Sequence, residues 1–407
     1  MLDIKFIREN LEKVKKGTTD KGYEVDFEGL IKVDDERKKL LVEIEELRAK
    51  RNQLGKDDVG KGREIKDKLK ELEPRLAEIE KEFDKLVLLV PNISSPDSPI
   101  GKDESSNVEI KKWGDIPKFD FSPKDHVELG EKLDIIDLDR AVKIAGTRSY
   151  ILKKELVIIE QSLLRFALDT VREKGFEIMN VPVLVNENTL IGAGFFPFGR
   201  EDVYEVNEKD KFLVGTSEAS LVYYHSGEVL GEEQLPKLLS GITACFRKEA
   251  GTYGKDTKGI IRVHQFNKVE QVVLCKEEDG EKMFNTILEI SESIVRALKL
   301  PYRLVQMCTG DMGPKNYKQV DLEVWFPTQD KYRETHSCSY LTDFQSRRSN
   351  IRYRDKDGTK RFVHTLNNTA IATPRILGAI LENYQQSDGS VKIPEALHKY
   401  LDFKEIK

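Results

Sequence analysis

Residues 245–270 read CFRKEAGTYGKDTKGIIRVHQFNKVE, and this stretch says more about the fold than any other. Two segments that favour β-structure flank a glycine-rich loop at residues 251–259, which predicts a hairpin with a long connection. In the first segment Arg247 and Glu249 lie two residues apart, so both side chains are expected on one face of a strand. A planar guanidinium beside a carboxylate suits bidentate binding of a phosphate. An exposed ion pair is the alternative interpretation of these two residues alone.

The composition indicates a folded protein with more than one domain. At 407 residues the chain exceeds one compact core, and we expect two or three domains. The formal net charge is −5, so RNA would have to bind at a local basic patch. The four cysteines are scattered and lack zinc-site spacing, which predicts a reduced, cytoplasmic protein without structural zinc. No apolar stretch approaches the roughly 18 residues that span a bilayer, so no membrane partner is expected.

A heptad pattern near the N-terminus predicts a long helical hairpin. In its second half the apolar residues are spaced alternately by four and three positions: Ile65, Leu69, Leu72, Leu76, Ile79, Phe83, Leu86 and Val90. The first half follows the same register, with arginine at two seam positions: Val33, Arg37, Leu40, Ile44, Leu47, Arg51 and Leu54. Only the short segment 55–62 separates the two halves, so the helices must lie antiparallel. We therefore predict a two-helix coiled-coil arm over residues 33–90.

The far end of this predicted hairpin is basic, in contrast to the whole chain. Residues 50–70 contain eight Lys or Arg and four Asp or Glu. Contact with a phosphate backbone requires such a patch, although a solvated charged face is the alternative. The candidate RNA-binding residues are Lys50, Arg51, Lys56, Lys61, Arg63 and Lys66.

Beyond a linker rich in Pro, Ser and Asp at residues 91–118, helical and strand-like segments alternate without a regular βαβ rhythm. An amphipathic helix is predicted at residues 152–174, and strand-like runs occur at 181–185, 271–275, 303–308 and 322–326. This pattern favours an α+β fold, in which helices pack around a mostly antiparallel sheet.

Four further segments contain residues that could support chemistry. Thr216-Ser217-Glu218 follows a strand-like run, and residues 321–326 alternate acidic and apolar side chains. Residues 332–339 combine a carboxylate with several hydroxyls, which could provide an oxygen-rich site for Mg²⁺. Finally, Arg375 opens an apolar helix after a polar stretch. Each segment alone has a structural interpretation, such as a helix N-cap, a solvated edge strand or a surface arginine.

Taken together and in this order, the hairpin and these segments resemble the seryl-tRNA synthetases, a family of class II aminoacyl-tRNA synthetases. The resemblance runs from the N-terminal helical arm through motif 1 at residues 175–186 and motif 2 in the hairpin to motif 3 before Arg375. It implies a tRNA-binding arm in residues 1–100 and a catalytic domain in residues 101–407, with an antiparallel sheet flanked by helices. It also implies a homodimer with motif 1 at the interface.

The resemblance further implies that the protein activates L-serine with ATP to seryl-adenylate and transfers serine to tRNA(Ser), with tRNA(Sec) as a second candidate. It assigns catalytic roles to Arg247, Glu334 and Arg375, and Mg²⁺ binding to Glu334 and Ser337. The implied serine-binding residues are Thr216, Ser217, Glu218, Arg247, Glu270 and Thr369. The implied ATP-binding residues are Arg247, Lys248, Glu249, Val263, Glu334, Thr335, His336, Ser337 and Arg375.

The chain departs from the usual pattern of the family at several positions, which leaves the shape of the pocket open: His336, Tyr340, Asn368, Ala370 and Pro374. Two other functions are also consistent with a related fold. A ligase that loads an amino acid onto a carrier protein would lack the long arm. A non-catalytic paralogue acting as an interaction protein would have lost Arg247, Glu249, Glu334 or Arg375, and all four are present.

Overall fold

The computed structural model describes residues 1–54, 58–206, 210–250 and 259–407. The contacts divide the chain into two units, Met1–Ile93 and Ser94–Lys407. Lys56, one of the predicted RNA-binding residues, and most of the predicted glycine-rich loop lie outside the described residues.

The N-terminal unit is helical, as the heptad pattern predicts. Its helices are α1 Ile4–Glu9, α2 Leu11–Asp20, α3 Phe27–Gln53 and α4 Val59–Val87. The two long helices pack against each other, and ion pairs join Arg48 to Glu73 at 2.7 Å and Arg75 to Glu36 at 2.5 Å. Arg37, near the start of α3, lies over Phe83, near the end of α4, whereas Arg48, near the end of α3, pairs with Glu73 in the middle of α4. The two helices are therefore antiparallel. The predicted two-helix arm is confirmed.

Asp34 explains why an arginine occupies the apolar seam at position 37. The Asp34 carboxylate is fully buried and accepts hydrogen bonds from Arg8 at 2.7 Å and Arg37 at 2.8 Å. The Arg37 guanidinium also lies over the Phe83 ring, 4.2 Å from its centroid. Burial acts to raise the pKa of Asp34, but the surrounding cations Arg37, Lys38 and Arg8 outweigh it and lower that pKa. A buried charge is tolerated here because it is fully paired.

The second unit is built on a large sheet with the strand order β1-β11-β12-β13-β16-β10-β9-β4. Its members are β1 Val108–Trp113, β4 Glu177–Met179, β9 Lys237–Phe246, β10 Gln265–Cys275, β11 Tyr302–Gln306, β12 Lys318–Phe326, β13 Lys331–Thr342 and β16 His364–Ala372. Neighbouring strands are antiparallel except β4 and β9, which run parallel. The predicted α+β fold with a mostly antiparallel sheet is confirmed.

Short strands and helices surround this sheet. The remaining strands are β2 Ile136–Asp137, β3 Ile151–Leu152, β5 Leu184–Asn186, β6 Tyr204–Val206, β7 Lys211–Leu213, β8 Val229–Gly231, β14 Arg352–Arg354, β15 Lys360–Phe362, β17 Val391–Lys392 and β18 Glu405–Ile406. The helices are α5 His126–Lys132, α6 Leu138–Ala145, α7 Glu155–Glu173, α8 Glu187–Gly192, α9 Glu218–Tyr223, α10 Gly280–Ala297, α11 Phe344–Ser349 and α12 Thr373–Tyr384.

Residues on β10 show how the sheet separates its core from its open face. Val269 and Val273 belong to the main hydrophobic core, together with apolar residues of α7 and α10. Lys268 and Glu270 alternate with these valines, so their side chains leave the opposite face of the strand. That opposite face is where a polar cavity lies.

Candidate active site

A cavity of about 450 Å³ is lined in part by residues of β9, β10, β13 and β16. Most of the site residues predicted from the sequence line it: Thr216, Glu218, Arg247, Glu249, Val263, Glu270, Glu334, Thr335, Ser337, Thr369 and Arg375. These residues come from five separate segments of the chain. The fold therefore brings together, in one cavity, candidate residues that lie far apart in the sequence.

A β-bulge places Glu334 and Ser337 on the same wall of the cavity. Residues three apart in a regular strand face opposite sides of a sheet. The pairing of β12 with β13 shifts in register between Leu322 and Glu323, where Leu322 faces His336 and Glu323 faces Glu334. Thr335 is the extra residue, and bulges of this kind redirect side chains next to functional sites. Glu334, Thr335 and Ser337 consequently all line the cavity.

Arg247 and Glu249 reach the cavity in a different way from the one predicted. Strand β9 ends at Phe246, so neither residue lies on a strand and pleat alternation does not align them. Glu249 instead has a left-handed backbone with φ of 54°. Its carboxylate accepts a hydrogen bond from Arg262 Nη1 at 2.6 Å rather than pairing with Arg247. The prediction of a shared strand face is wrong, whereas both side chains do line the cavity.

The open end of the cavity is formed by Arg247, Glu249, Arg262, Glu334 and Arg375. Arg375 Nη1 donates to the Glu334 carboxylate at 3.1 Å and to the Glu334 carbonyl at 2.6 Å. Burial acts to raise the pKa of Glu334, but Arg375, Arg247 and Arg262 together lower it. Glu334 is therefore an ionised carboxylate beside several guanidinium groups. Such a group of fixed charges is suited to a polyphosphate and its counter-ion.

The buried end of the cavity is formed by Thr216, Glu218, Lys268, Glu270 and Thr369, all less than a tenth exposed. Lys268 Nζ forms an ion pair with the Glu270 carboxylate. Burial raises the pKa of Glu270, and the nearby ammonium of Lys268 opposes that rise. No hydrogen bond to the Thr369 hydroxyl is found among the described residues. This end offers carboxylates and a hydroxyl, which suit an ammonium group and a small polar side chain.

Three of the predicted site residues do not line the cavity. Ser217 is fully buried and its hydroxyl donates to the Gly241 carbonyl at 3.3 Å. Lys248 is exposed, with its Nζ 5.9 Å from the centroid of the Tyr204 ring. His336 is buried on the opposite face of β13, and its ring contacts the Ala370 carbonyl at 3.1 Å. Burial lowers the pKa of His336 to about 4, so this ring is neutral.

Most of the departures from the family pattern also face away from the cavity. The Tyr340 hydroxyl contacts His364 Nδ1 at 2.6 Å beneath the sheet. Asn368 Nδ2 donates to the Ile287 carbonyl at 2.7 Å and so ties β16 to α10. Ala370 is fully buried in the main core, whereas Pro374 lines the cavity. These substitutions mainly change how the sheet packs on its helices.

Several polar residues of the cavity were not predicted from the sequence. They include Asp202, Arg262, Lys268, Lys315, Asn316, Gln319 and Asn367. Lys268 could have been found, because it lies two residues before Glu270 on the same strand and so shares its face. Lys315 and Asn316 lie in the connection between β11 and β12, where no periodic pattern points toward the cavity. Arg262 lies just before β10, next to residues outside the described part of the chain.

Glu334 and Ser337 fit the binding of Mg²⁺ in their chemistry. Both present oxygen atoms to the same cavity, and Mg²⁺ prefers a few protein oxygens combined with phosphates and water. Ser337 Oγ is held by Gln319 Nε2 at 3.1 Å, and the same amide donates to Asp321 at 3.0 Å. Burial and the Glu334 carboxylate raise the pKa of Asp321 well above its ordinary value. No group of three or more His, Cys, Asp or Glu side chains suited to a metal is found in the described ranges.

At the far end of the arm, five of the six predicted RNA-binding residues are described and exposed: Lys50, Arg51, Lys61, Arg63 and Lys66. Lys50 and Arg51 lie in the last turn of α3, and the other three lie in the first turns of α4. These residues therefore lie near the end of α3 and near the start of α4.

Comparison with known proteins places this fold and site in a class. The model of the class II tRNA synthetase core domain (G, H, P, S and T) matches residues 202–384. The described cavity lies largely within this range. The model of the seryl-tRNA synthetase N-terminal domain matches residues 1–94. The sheet and its cavity are those of a class II aminoacyl-tRNA synthetase core.

Full-length relatives define the family within this class. The chain is 43% identical to a serine–tRNA ligase of Deinococcus radiodurans, covering 100% of this chain and 99% of the relative. It is similar to the crystal structure of a seryl-tRNA synthetase from Pyrococcus horikoshii complexed with ATP, with a TM-score of 0.91 and 42% identity over 100% of this chain and 99% of that one. A cytoplasmic serine–tRNA ligase from Naegleria fowleri in complex with AMP gives a TM-score of 0.88 at 30% identity, again covering 100% and 99%. The chain belongs to the seryl-tRNA synthetase family.

Helices long and apolar enough to cross a bilayer are not found in the described part of the chain.

Proposed function

We propose that this protein uses ATP to join L-serine to tRNA(Ser), by way of seryl-adenylate. The observation that carries the proposal is the polarity of one cavity, with carboxylates at its buried end and guanidinium groups at its open end. A zwitterionic amino acid can place its ammonium at the first and its carboxylate toward the second. Membership of the seryl-tRNA synthetase family supports serine as that amino acid.

In the first step, a carboxylate oxygen of serine attacks the α-phosphorus of ATP. A new P–O bond forms while the bond to pyrophosphate breaks, which gives seryl-adenylate and pyrophosphate. The protein needs no nucleophile of its own for this step, since its task is alignment and stabilisation of negative charge. We assign Arg247 to the serine carboxylate and the α-phosphate, and Arg375 to the γ-phosphate. Glu249, Val263 and Thr335 complete the assigned ATP site.

Direct contact with substrate has less support for three of the assigned residues than for the others, because these three do not line the cavity: Ser217, Lys248 and His336. His336 is neutral and buried behind the sheet, where it supports the strand that carries Glu334. Ser217 begins α9 and packs against Gly241, so it positions Thr216 and Glu218. We retain only an indirect role for Ser217 and His336 in the proposal.

Mg²⁺ is part of the proposal, with Glu334 and Ser337 as its protein ligands. When bound, Mg²⁺ neutralises phosphate charge as it develops during transfer. Glu334 is suited to this because the cations around it lower its pKa and keep it ionised. Gln319 orients the Ser337 hydroxyl by its hydrogen bond.

In the second step, a ribose hydroxyl at the 3′ end of the tRNA attacks the serine carbonyl and AMP leaves. We propose that residues 1–100 bind the tRNA and residues 101–407 perform the chemistry, with tRNA(Sec) as an additional substrate. We also propose a cytoplasmic homodimer that associates through the region around motif 1. Exposed apolar residues on α6, α7 and β5 support this association, among them Ile144, Ile158 and Leu184.

The proposal is tested by charging assays with labelled serine and purified tRNAs. We expect labelled serine to become acid-precipitable in the presence of tRNA(Ser). With a tRNA for another amino acid, we expect little or no acid-precipitable label. Labelling of tRNA(Sec) would support the additional substrate. Charging of a carrier protein instead of any tRNA would contradict the proposal, as would no charging by the folded protein.

Replacing Thr369 with valine is expected to impair recognition of the serine hydroxyl. Valine keeps the shape of threonine but removes the hydroxyl, so the substrate hydroxyl loses its partner in a buried site. The KM for serine in pyrophosphate exchange should rise about 10-fold or more, while the KM for ATP should change little. Thr286→Val on the exposed side of α10 is the matched control and should behave as the unmodified protein. An unchanged KM for serine in Thr369→Val would remove Thr369 from the serine site.

Neutralising the basic end of the arm is expected to weaken tRNA binding and its salt dependence. Each phosphate contact releases counter-ions, so the triple change of Lys61, Arg63 and Lys66 to alanine should lower the slope of log K against log salt by about 2 to 3. The control removes the same charge elsewhere on the two helices, with Lys39, Lys81 and Lys85 changed to alanine. Equal slopes for the two triple variants would place the phosphate contacts elsewhere.

A further inference from the structure

Lys315 is a polar residue of the cavity to which neither the sequence nor the proposed mechanism gives a role. Its side chain is 13% exposed, and its Nζ lies 2.5 Å from Glu218 Oε1. The same ammonium lies 3.7 Å from the centroid of the Phe195 ring. It thus combines a charge-assisted hydrogen bond with a cation–π contact, and both fix the position of a charged group.

The Glu218 carboxylate is held through one of its two oxygens. Oε1 accepts hydrogen bonds from Lys315 Nζ at 2.5 Å and from Gln345 Nε2 at 2.7 Å. Gln345 is itself fixed, since it donates to the Ala193 carbonyl and accepts from the Thr365 hydroxyl at 2.7 Å. No hydrogen bond to Glu218 Oε2 is found within the described ranges. The second oxygen of Glu218 is therefore left for a donor in the cavity that this carboxylate lines.

The charges at the buried end explain why a lysine is needed there. Glu218 and Glu270 lie close enough that the charge of Glu218 contributes to raising the pKa of Glu270, after burial as the main cause. Two neighbouring carboxylates in a buried site favour uptake of a proton by one of them. A protonated carboxyl cannot attract an ammonium as a full charge does. Lys315 beside Glu218 and Lys268 beside Glu270 compensate both acids before any substrate enters.

We propose that Lys315 is a positioning residue for the amino-acid substrate, which fixes the Glu218 carboxylate through Oε1 and directs its other oxygen, Oε2, toward the α-ammonium of the substrate. This inference rests on the proposed function, because it assumes that Glu218 receives that ammonium. Lys315 touches neither the substrate nor ATP in this arrangement and acts through Glu218. Gln345 supports the same oxygen from the other side.

Lys315→Met tests this role, because methionine keeps the length of the stem and removes the charge. In amino-acid-dependent pyrophosphate exchange, we expect the KM for serine to rise about 10- to 100-fold, the range for a lost charge-assisted hydrogen bond. The KM for ATP should stay within about twofold, because ATP binds at the open end. Lys315→Arg keeps a cationic donor and should recover most of the serine affinity.

Lys318→Met is the matched control. Lys318 lies three residues away, is 16% exposed and pairs with Asp97 at 2.7 Å and Glu281 at 3.2 Å, so it loses a comparable ion pair away from the cavity. We expect its serine and ATP KM values to match those of the unmodified protein within about twofold. Thermal unfolding of each variant confirms that it is folded at the assay temperature.

The outcomes separate this inference from the proposed function. Normal exchange by the unmodified protein with an unchanged serine KM in Lys315→Met would overturn the role of Lys315 alone. A parallel rise in the serine and ATP KM values, without recovery in Lys315→Arg, would also overturn it, because that is the effect of a structural ion pair. Exchange with a different amino acid would overturn the serine assignment, and a selective rise in the KM of that amino acid in Lys315→Met would still support the inference. Absence of exchange with every amino acid would overturn both.

Discussion

Replacing Arg247 with alanine should reduce serine-dependent pyrophosphate exchange by about 10³-fold or more, while the fold is retained. Arg247 lies at the open end of the cavity, where its Nε donates to the Gly215 carbonyl at 3.4 Å and its guanidinium lies 5.3 Å from the centroid of the Phe266 ring. These contacts aim a permanent positive charge at the position assigned to the α-phosphate. Negative charge increases there in the transition state, so the loss should fall mainly on kcat.

The control for this variant is Arg361→Ala. Arg361 is 53% exposed and pairs with Asp355 at 2.8 Å on the β14–β15 hairpin, outside the cavity. Its removal eliminates an arginine and an ion pair, so it should leave exchange within about twofold of the unmodified protein. Arg247→Ala with exchange within about tenfold of normal would contradict a role in phosphate transfer.

Removing the N-terminal unit should separate the two steps of the reaction. A fragment of residues Ser94–Lys407 keeps the large sheet, the main core and every residue that lines the cavity. The arm has its own apolar cluster, with Leu30, Phe83 and Val87 at its centre. We therefore expect the fragment to retain serine-dependent exchange within about twofold and to lose charging of tRNA(Ser) by about 100-fold or more, because the phosphate contacts of the arm are gone.

Three measurements on one preparation test this second prediction. Exchange and charging are assayed on the same preparation, and its thermal unfolding is compared with that of the full chain. Charging that survives removal of the arm would show that the catalytic unit alone recognises the tRNA. Loss of both activities in a fragment that unfolds cooperatively would contradict the proposal that the second unit activates serine without the arm.

The helical arm could be predicted in detail because its periodicity is a local property. A seam residue such as Leu40, Ile44 or Ile79 is buried for the same reason that it recurs every three or four positions. The helix predicted at residues 152–174 is likewise found as α7, Glu155–Glu173. Short elements with a weak sequence pattern are predicted less accurately. The strand predicted at residues 181–185 is found at Leu184–Asn186, where the preceding proline and loop delay the start of pairing.

The arrangement of side chains around the cavity depends on strand pairing and on where strands end, and neither can be read from the sequence alone. The bulge at Thr335 is a property of the pairing between β12 and β13, so residue spacing alone would have separated Glu334 from Ser337. The end of β9 at Phe246 removed the strand alternation expected for Arg247 and Glu249. The family resemblance named these residues as candidates, and the tertiary pairing shows how they come to line one cavity.

The connection that carries Lys315 illustrates a second limit. Lys315 lies between β11 and β12, in a segment without helical or strand periodicity, and nothing in its neighbours indicates that it reaches Glu218. The two positions are 97 residues apart in the chain. Contacts of this kind follow from the tertiary fold, which brings the β11–β12 connection to Glu218 at the start of α9. Polar residues that support a site from such connections are therefore among those that sequence analysis misses.

Serine activation is tested most directly by pyrophosphate exchange of the 407-residue chain without tRNA, measured separately with each proteinogenic amino acid. We propose an ammonium site and a hydroxyl site at the buried end of the cavity and phosphate-binding arginines at its open end, and we therefore expect exchange with serine alone. Exchange with another amino acid, or no exchange from folded protein, would contradict the proposal that this cavity activates serine.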